Sequence, residues 1–397
     1  MIFFQNLTET LPFFSLLFSL ILMLGLYQLG EIIFYNKRIK LIFSTISELK
    51  YQKILIGINF LMIIIFPIVL FFNHSKQILS FFSIIIFIFG LIKFSLIFKK
   101  KFTVKQNYFS INFEYYIFIL VIIGIFLISF SPVNHVDSLD YHLWGAKYIY
   151  QTGKLPTSIE SFTNLLVSSG EALYSLGFFF GAEQFGTMIQ FSGLISLIGV
   201  FKRFNNKNFF LLLLILTAPM MIFLVSSPKP QLFHLCSNAF LFVLLFVNFS
   251  SIKNSQFSAL EIVVITNIFL INSINSKISF ILSSFIIYLI LAIVAYKKKF
   301  FIKMIFVNII FISTFYLGFV YWKYSIWGGS LFNYIINPIP IHLEGGKLFY
   351  DYLIRYNNLG KGGAELIHLF LPKNVGQYTE AIGMGVLTFI YFFLKKK

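Results

Sequence analysis

The chain has one cysteine, 14 acidic residues among 397, and only 11% charged residues of either sign. Each scarcity excludes something. A lone Cys236 closes no intramolecular disulfide, so a cysteine-stapled secreted module is ruled out. Ordinary soluble domains carry about 25% charged and about 45–50% apolar residues. Here the apolar share is 58%, and phenylalanine alone fills 55 positions. That much apolar surface cannot be hidden inside a water-soluble globule, nor does such a composition describe a disordered chain. What is abundant is hydrocarbon in long runs, and the composition is that of an all-α polytopic membrane protein.

A bilayer core roughly 30 Å thick takes about 20 apolar residues of helix to cross. Helices satisfy their own backbone hydrogen bonds in lipid, so runs of that length read as spans. Eleven begin near Leu11, Ile54, Ile78, Tyr116, Gln184, Phe209, Leu232, Phe257, Ile278, Met304 and Ile382; polar residues interrupt the eighth, and the eleventh is short. The net charge of +17 belongs to this pattern. Segments 35–53, 99–105, 202–207, 251–256, 297–303 and 395–397 hold 20 of the 31 basic residues, and all fall on one side of an eleven-helix zigzag. Cytoplasmic loops retain Lys and Arg, so that side is expected inside, with the N-terminus outside and the C-terminus cytoplasmic. The basic excess is thus a topology signal, and a nucleic-acid partner is not expected. Residues 1–10 lack Lys and Arg and the first apolar run exceeds a signal-peptide core, so no cleavable signal is expected. The expected setting is a multi-pass protein of the cell (inner, cytoplasmic) membrane, with a three-helix segment over 1–110 and a core over 111–397.

Two segments on the expected outer side, 132–182 and 325–378, are far longer than the other hairpins, and loops of that length usually have work to do. In the first, nothing breaks a helix from Ser138 to Thr152, while Pro132 ends the preceding span and Gly153 with Pro156 supplies a stop. Asp140, Lys147, Gln151 and Lys154 share one face of that helix, flanked by Tyr141, Trp144 and Tyr148, a pattern suited to a membrane surface. Asp137, Asp140, Tyr141 and His142 then cluster at the outer mouth of the fourth span. Asp137 reads either as a helix cap or as a reactive carboxylate, Asp140 as a solvated or a catalytic acid, and Lys277 as a snorkelling or a ligand-binding cation.

The segment Asp137-Ser-Leu-Asp-Tyr141-His, followed by Ala146, Gly153 and Pro156, resembles the first outer loop of the GT-C superfamily, membrane glycosyltransferases that include protein O-mannosyltransferases and lipid A aminoarabinose transferases. The residue after the first Asp is Ser138 where an acid is common, so Asp140 is a candidate for that second acidic role. Glu171-Ala-Leu-Tyr-Ser-Leu-Gly177 with Gly181 is similar to the second half of that loop, Asn275-Ser-Lys277-Ile-Ser to a later lysine-bearing segment, and Trp327-Gly-Gly-Ser-Leu-Phe with Pro338 to a Gly/Pro turn. The first 110 or so residues have no counterpart in the pattern.

The resemblance implies a GT-C-like bundle and transfer of a sugar from a polyprenyl-phosphate donor to a cell-envelope glycan, lipid or protein acceptor on the outer face. Asp137, or else Asp140, would be the base that takes the acceptor's proton. Tyr141, His142, Lys147 and Lys277 would hold the donor phosphate, with Glu171, Lys229 and Arg355 as further substrate-binding candidates. A divalent ion, Mg or Mn, stays open as a cofactor, because relatives differ; no metal ligand is assigned, as paired His at metalloprotease spacing and Cys clusters are both lacking. Asn358-Leu-Gly-Lys-Gly-Gly363 lacks the GxxxxGK[ST] pattern of a phosphate loop. The alternatives are a transporter or flippase of lipid-linked sugars, or a polysaccharide polymerase. A transporter should carry ionisable residues at mid-membrane and paired halves, and neither is visible here.

Overall fold

The computed structural model describes residues 12–72, 74–99, 113–133, 138–157, 166–204, 209–251, 259–297 and 299–326, with Lys347 and Asp351. Among them there is helix and no strand. In chain order come α1 (Pro12–Ile33), α2 (Lys37–Ser44), α3 (Leu49–Phe71), α4 (Ser75–Lys99) and α5 (Phe113–Ser129). A π-helical turn over Ser138–Leu143 leads into α6 (Trp144–Thr152), followed by α7 (Ser169–Phe178) and α8 (Phe185–Phe204). Then come α9 (Phe209–Leu216), α10 (Pro219–Val225), α11 (Gln231–Ser251) and α12 (Ala259–Ser276). A 3-10 turn over Ile278–Phe280 opens α13 (Ile281–Lys297); α14 (Phe301–Phe311) continues through a π turn into α15 (Leu317–Ile326).

Six of these stretches are long and apolar enough to cross a bilayer: 12–33, 49–71, 75–99, 185–203, 278–297 and 301–325. Shorter apolar helices lie at 116–129, 231–247 and 260–276. The protein is therefore a helical, multi-pass membrane protein. The outer faces agree: Phe81, Leu282 and Ile302 are 61%, 68% and 83% exposed, a surface that lipid tolerates and water does not. The apolar run at Phe209 is not one span but two short helices. Ala218 is extended (ψ 131°) ahead of Pro219, whose ring forbids the helical conformation behind it. The eleventh run, at Ile382, lies outside the described residues.

α3 is the hub, packed against α1, α4, α7, α8 and α12, and residues from the first 110 share one apolar core with later ones. The polar residues that interrupt the run at Phe257 turn inward, where each needs a partner: Asn272 Nδ2 donates to Asn59 O at 2.8 Å, and Asn267 Nδ2 to Asn308 Oδ1 at 2.7 Å.

Alternating chain direction gathers two sets of termini. At one end Ser15 Oγ donates to Gln184 Oε1 (2.6 Å), Thr187 Oγ1 to Ser129 O (2.6 Å) and Trp322 Nε1 to Pro156 O (3.0 Å), while Ser75 Oγ bonds Gly153 O. At the other, Arg38 pairs with Glu261 (3.1 Å) and Lys50 and Lys202 with Glu48 (2.8 and 3.4 Å). The first end carries the long 130–184 connection.

Candidate functional site

The expected helix from Ser138 is present, but its first turn is widened into a π turn, and this places His142 against α7 rather than at the surface. His142 is 6% exposed, and its Nδ1 hydrogen-bonds Glu171 Oε1. Glu171 is fully buried in the first turn of α7, where the helix N-terminus favours an anion. Its other oxygen accepts from Ser168 Oγ, and Ser168 in turn caps the helix by accepting from Gly170 N at 3.3 Å. A side chain at Gly145 would meet Glu171 Cγ at 3.3 Å and Val167 at 2.8 Å, so α6 approaches this carboxylate only because position 145 is bare.

Three lysines from separate elements interact electrostatically with one or other member of the pair. Lys229 is 6% exposed in the 226–230 hairpin, its ammonium 4.9 Å from the Phe223 ring centre. The prolines on either side seat that hairpin: Pro230 fills the space at Gly170 (2.5 Å from a Cβ there) and Pro228 the space at Gly186 (2.7 Å). Lys277 is exposed in the extended residue between α12 and the 3-10 turn, and both cations act electrostatically on His142. Lys323 of α15 is 4% exposed, lies on the faces of Trp322 (4.6 Å) and Phe319 (5.4 Å), and interacts with the Glu171 charge. Burial lowers the affinity of His142 for a proton; the Glu171 carboxylate opposes this and the Lys229 and Lys277 charges reinforce it. Burial, helped by the Glu171 charge, pushes the Tyr174 phenol well up.

A buried polar network continues away from the site. Ser169 Oγ contacts Ser276 Oγ at 2.9 Å, which contacts His234 Nε2 at 2.6 Å; His234 Nδ1 reaches Ser273 Oγ at 3.3 Å. It ties the start of α7, which bears Glu171, to the end of α12, which precedes Lys277.

Of the residues singled out from sequence, His142, Glu171, Lys229 and Lys277 come together, with the Tyr141 ring 4.1 Å from that of His142. Asp140 is exposed. Lys147 is half-buried and acts on Glu183 instead. Asp137 and Arg355 lie outside the described residues, as do Trp327, Pro338 and nearly all of the 325–378 loop. Ser168 and Lys323 had not been singled out. Both leave a signal: Ser168-x-x-Glu171 has capping-box spacing, and Lys323 is a charge in an apolar helix. Among the described residues no three His, Cys, Asp or Glu side chains stand close enough to hold a metal.

Glu183, beside this end, gives a pH prediction. Burial pushes its carboxyl up from 4.5 to about 7 against the opposing Lys147 charge, and its Oε1 is buried without a partner among the described residues. A raised carboxyl favours the fold while protonated in it, so its contribution is complete below pH 4.5 and is lost as pH climbs through about 7. The melting temperature of detergent-solubilised protein should therefore fall between pH 5 and pH 8, and Glu183→Gln should flatten part of the fall. Parallel pH curves for the two proteins would refute it.

Neither the curated proteins nor the solved structures contain a match to this chain. The sequence profile of one family, the DUF1420 N-terminal domain, matches residues 92–396, a stretch holding every residue of the cluster just described, and the chain belongs to that family.

Proposed function

We propose that the protein is a GT-C-type glycosyltransferase, moving a sugar from a polyprenyl-phosphate donor to an acceptor hydroxyl of a cell-envelope glycan, lipid or protein at the outer face of the membrane. One observation carries the reading: lysines distant in sequence, Lys229 and Lys277, converge on the buried His142–Glu171 pair at the end of the bundle that bears the long 130–184 connection. When the sugar leaves, negative charge develops on the lipid phosphate, and preorganised cations in a partly desolvated setting stabilise it. An exposed Lys277 and a buried Lys229 acting on the same histidine also suit a ligand whose head group sits at the membrane surface and whose tail lies in lipid. The flanking apolar faces supply that lipid contact.

The test is turnover in proteoliposomes containing polyprenyl-phosphate hexoses, read as release of polyprenyl phosphate. Lys229→Met and Lys277→Met should each raise the donor KM about tenfold or more, as expected for losing a charge-assisted contact of about 1.5–3 kcal/mol. Turnover with an unchanged donor KM in both variants would remove the phosphate role from these lysines. No release by the unmodified protein from any donor tried would remove the function.

A further inference from the structure

We infer that His142 is the base for sugar transfer in this protein, its Nε2 taking the acceptor's proton while Glu171 and Ser168 hold the ring. The inference rests on the glycosyl-transfer reading and deepens it, moving the proton away from the Asp137–Asp140 pair to which the family resemblance gives it.

Orientation of the ring is the first argument. Ser168 Oγ accepts from Gly170 N, and its own hydroxyl hydrogen is directed to Glu171 Oε2. Glu171 Oε1 faces His142 Nδ1. Glu171 stands in the first turn of α7 and receives the Ser168 hydroxyl, and a carboxylate oxygen placed this way accepts. His142 therefore donates through Nδ1–H, which leaves the lone pair on Nε2. Such a carboxylate–imidazole arrangement fixes the tautomer and stabilises the imidazolium that forms on proton uptake.

The second argument is the state of Nε2 itself. It is buried and has no hydrogen-bond partner among the described residues. Buried polar atoms are nearly always satisfied, and an exception calls for an explanation. A basic nitrogen without a donor among the described residues keeps its lone pair available for a proton. Ser138 Oγ, one helical turn away in the chain, is a second buried polar atom without a partner among the described residues.

The charges facing His142 fit the role. Glu171 of α7 favours its cation, whereas Lys229 of the hairpin and Lys277 beyond α12 disfavour it; Tyr141 contributes a ring, Lys323 of α15 acts on Glu171, and Tyr174 stays neutral beside that carboxylate. The imidazole is thus neutral before the reaction. By contrast Asp140 is exposed.

The step balances. The acceptor oxygen bonds to the anomeric carbon, the bond from that carbon to the phosphate oxygen breaks, and the electron pair leaves with the lipid phosphate. The proton moves from the acceptor oxygen to Nε2. The resulting imidazolium lies between Glu171 and the newly dianionic phosphate held by the lysines.

Two measurements decide it. Nitrogen-15 histidine spectra of the solubilised full chain should give His142 as the Nδ1–H tautomer at neutral pH; a protonated Nε2 overturns the assignment whatever the activity. In proteoliposomes with polyprenyl-phosphate hexoses, His142→Gln and Glu171→Gln should each lower kcat by about 100-fold or more with the donor KM little changed. Glu171→Gln should also move the acid limb of the pH–rate profile to lower pH, since the carboxylate no longer favours the imidazolium; a purely structural role would leave that limb in place. Asp137→Asn should retain measurable transfer. Near-normal kcat in both the His142 and Glu171 variants, or complete loss in Asp137→Asn alone, overturns the inference. Absence of turnover in the unmodified protein instead fells the transfer reading, with the tautomer still measured.

Discussion

Replacing Gly30 by leucine should abolish accumulation of folded protein in the membrane, whereas Gly124→Leu should leave it unchanged. A Cβ built at Gly30 would lie 1.6 Å from the carbonyl oxygen of Lys53, and one at Gly57 would lie 2.1 Å from that of Leu26, so α1 and α3 touch backbone to backbone. The same holds between α1 and α4, where Cβ atoms at Gly25 and Gly90 would each fall 1.9 Å from an oxygen of Ile86 and Ile21. In lipid there is no hydrophobic drive between apolar helices, and close approach across small residues supplies much of the association. Overpacking where side chains can shift costs about 1–3 kcal/mol. Here the obstruction is backbone, so the helices must separate. Separation would also break the ion pairs of Glu31 in α1 with Lys53 of α3 and Lys93 of α4. Gly124 has nothing within 4 Å of its would-be Cβ, which makes it the matched control. The readout is the monodisperse fraction on size exclusion and its melting temperature. A Gly30→Leu protein that elutes and melts like the parent would refute the packing account.

Glu171→Ala should be nearly as damaging. Removing one partner of a buried hydrogen bond costs about 1–3 kcal/mol for each group left unsatisfied, and more where that group is charged. Here those groups are His142 Nδ1, the Ser168 hydroxyl and the buried Lys323 ammonium. Glu171→Gln keeps an acceptor oxygen and should lose much less, which separates the stability role of this side chain from its effect on His142. If Lys323 contributes through Glu171, adding Lys323→Met to Glu171→Ala should recover part of the loss, a coupling that thermal melts of the two single variants and the double variant would reveal. Strictly additive losses would show that the two charges act independently.

The local chemistry of several site residues is legible in the sequence. Ser168 and Glu171 stand three apart before an apolar helix, and the prolines around Lys229 mark a rigid hairpin. Tyr141 and His142 sit at the mouth of the fourth run, where the resemblance to GT-C enzymes directs attention. The direction in which His142 points was not legible. That depends on a single widened turn, Ser138–Leu143, and a regular helix through the same residues would have swung the ring elsewhere. The resemblance likewise assigns Lys147 to the phosphate group; that it also acts on Glu183 follows from its place on α6 and is not legible in the sequence.

By itself, the sequence determined that this chain is helical and membrane-embedded, because hydropathy over twenty residues and the distribution of lysines are one-dimensional properties that lipid reads directly. Only the tertiary structure decided that Lys229 and Lys277 act on a buried His142 and Lys323 on the Glu171 bonded to it, that the apolar run at Phe209 is broken, and that four bare glycine positions set the spacing of α1 against its neighbours. Those outcomes depend on helix rotation and on sub-ångström clearance between backbones, and neither is encoded in the hydropathy of a single segment.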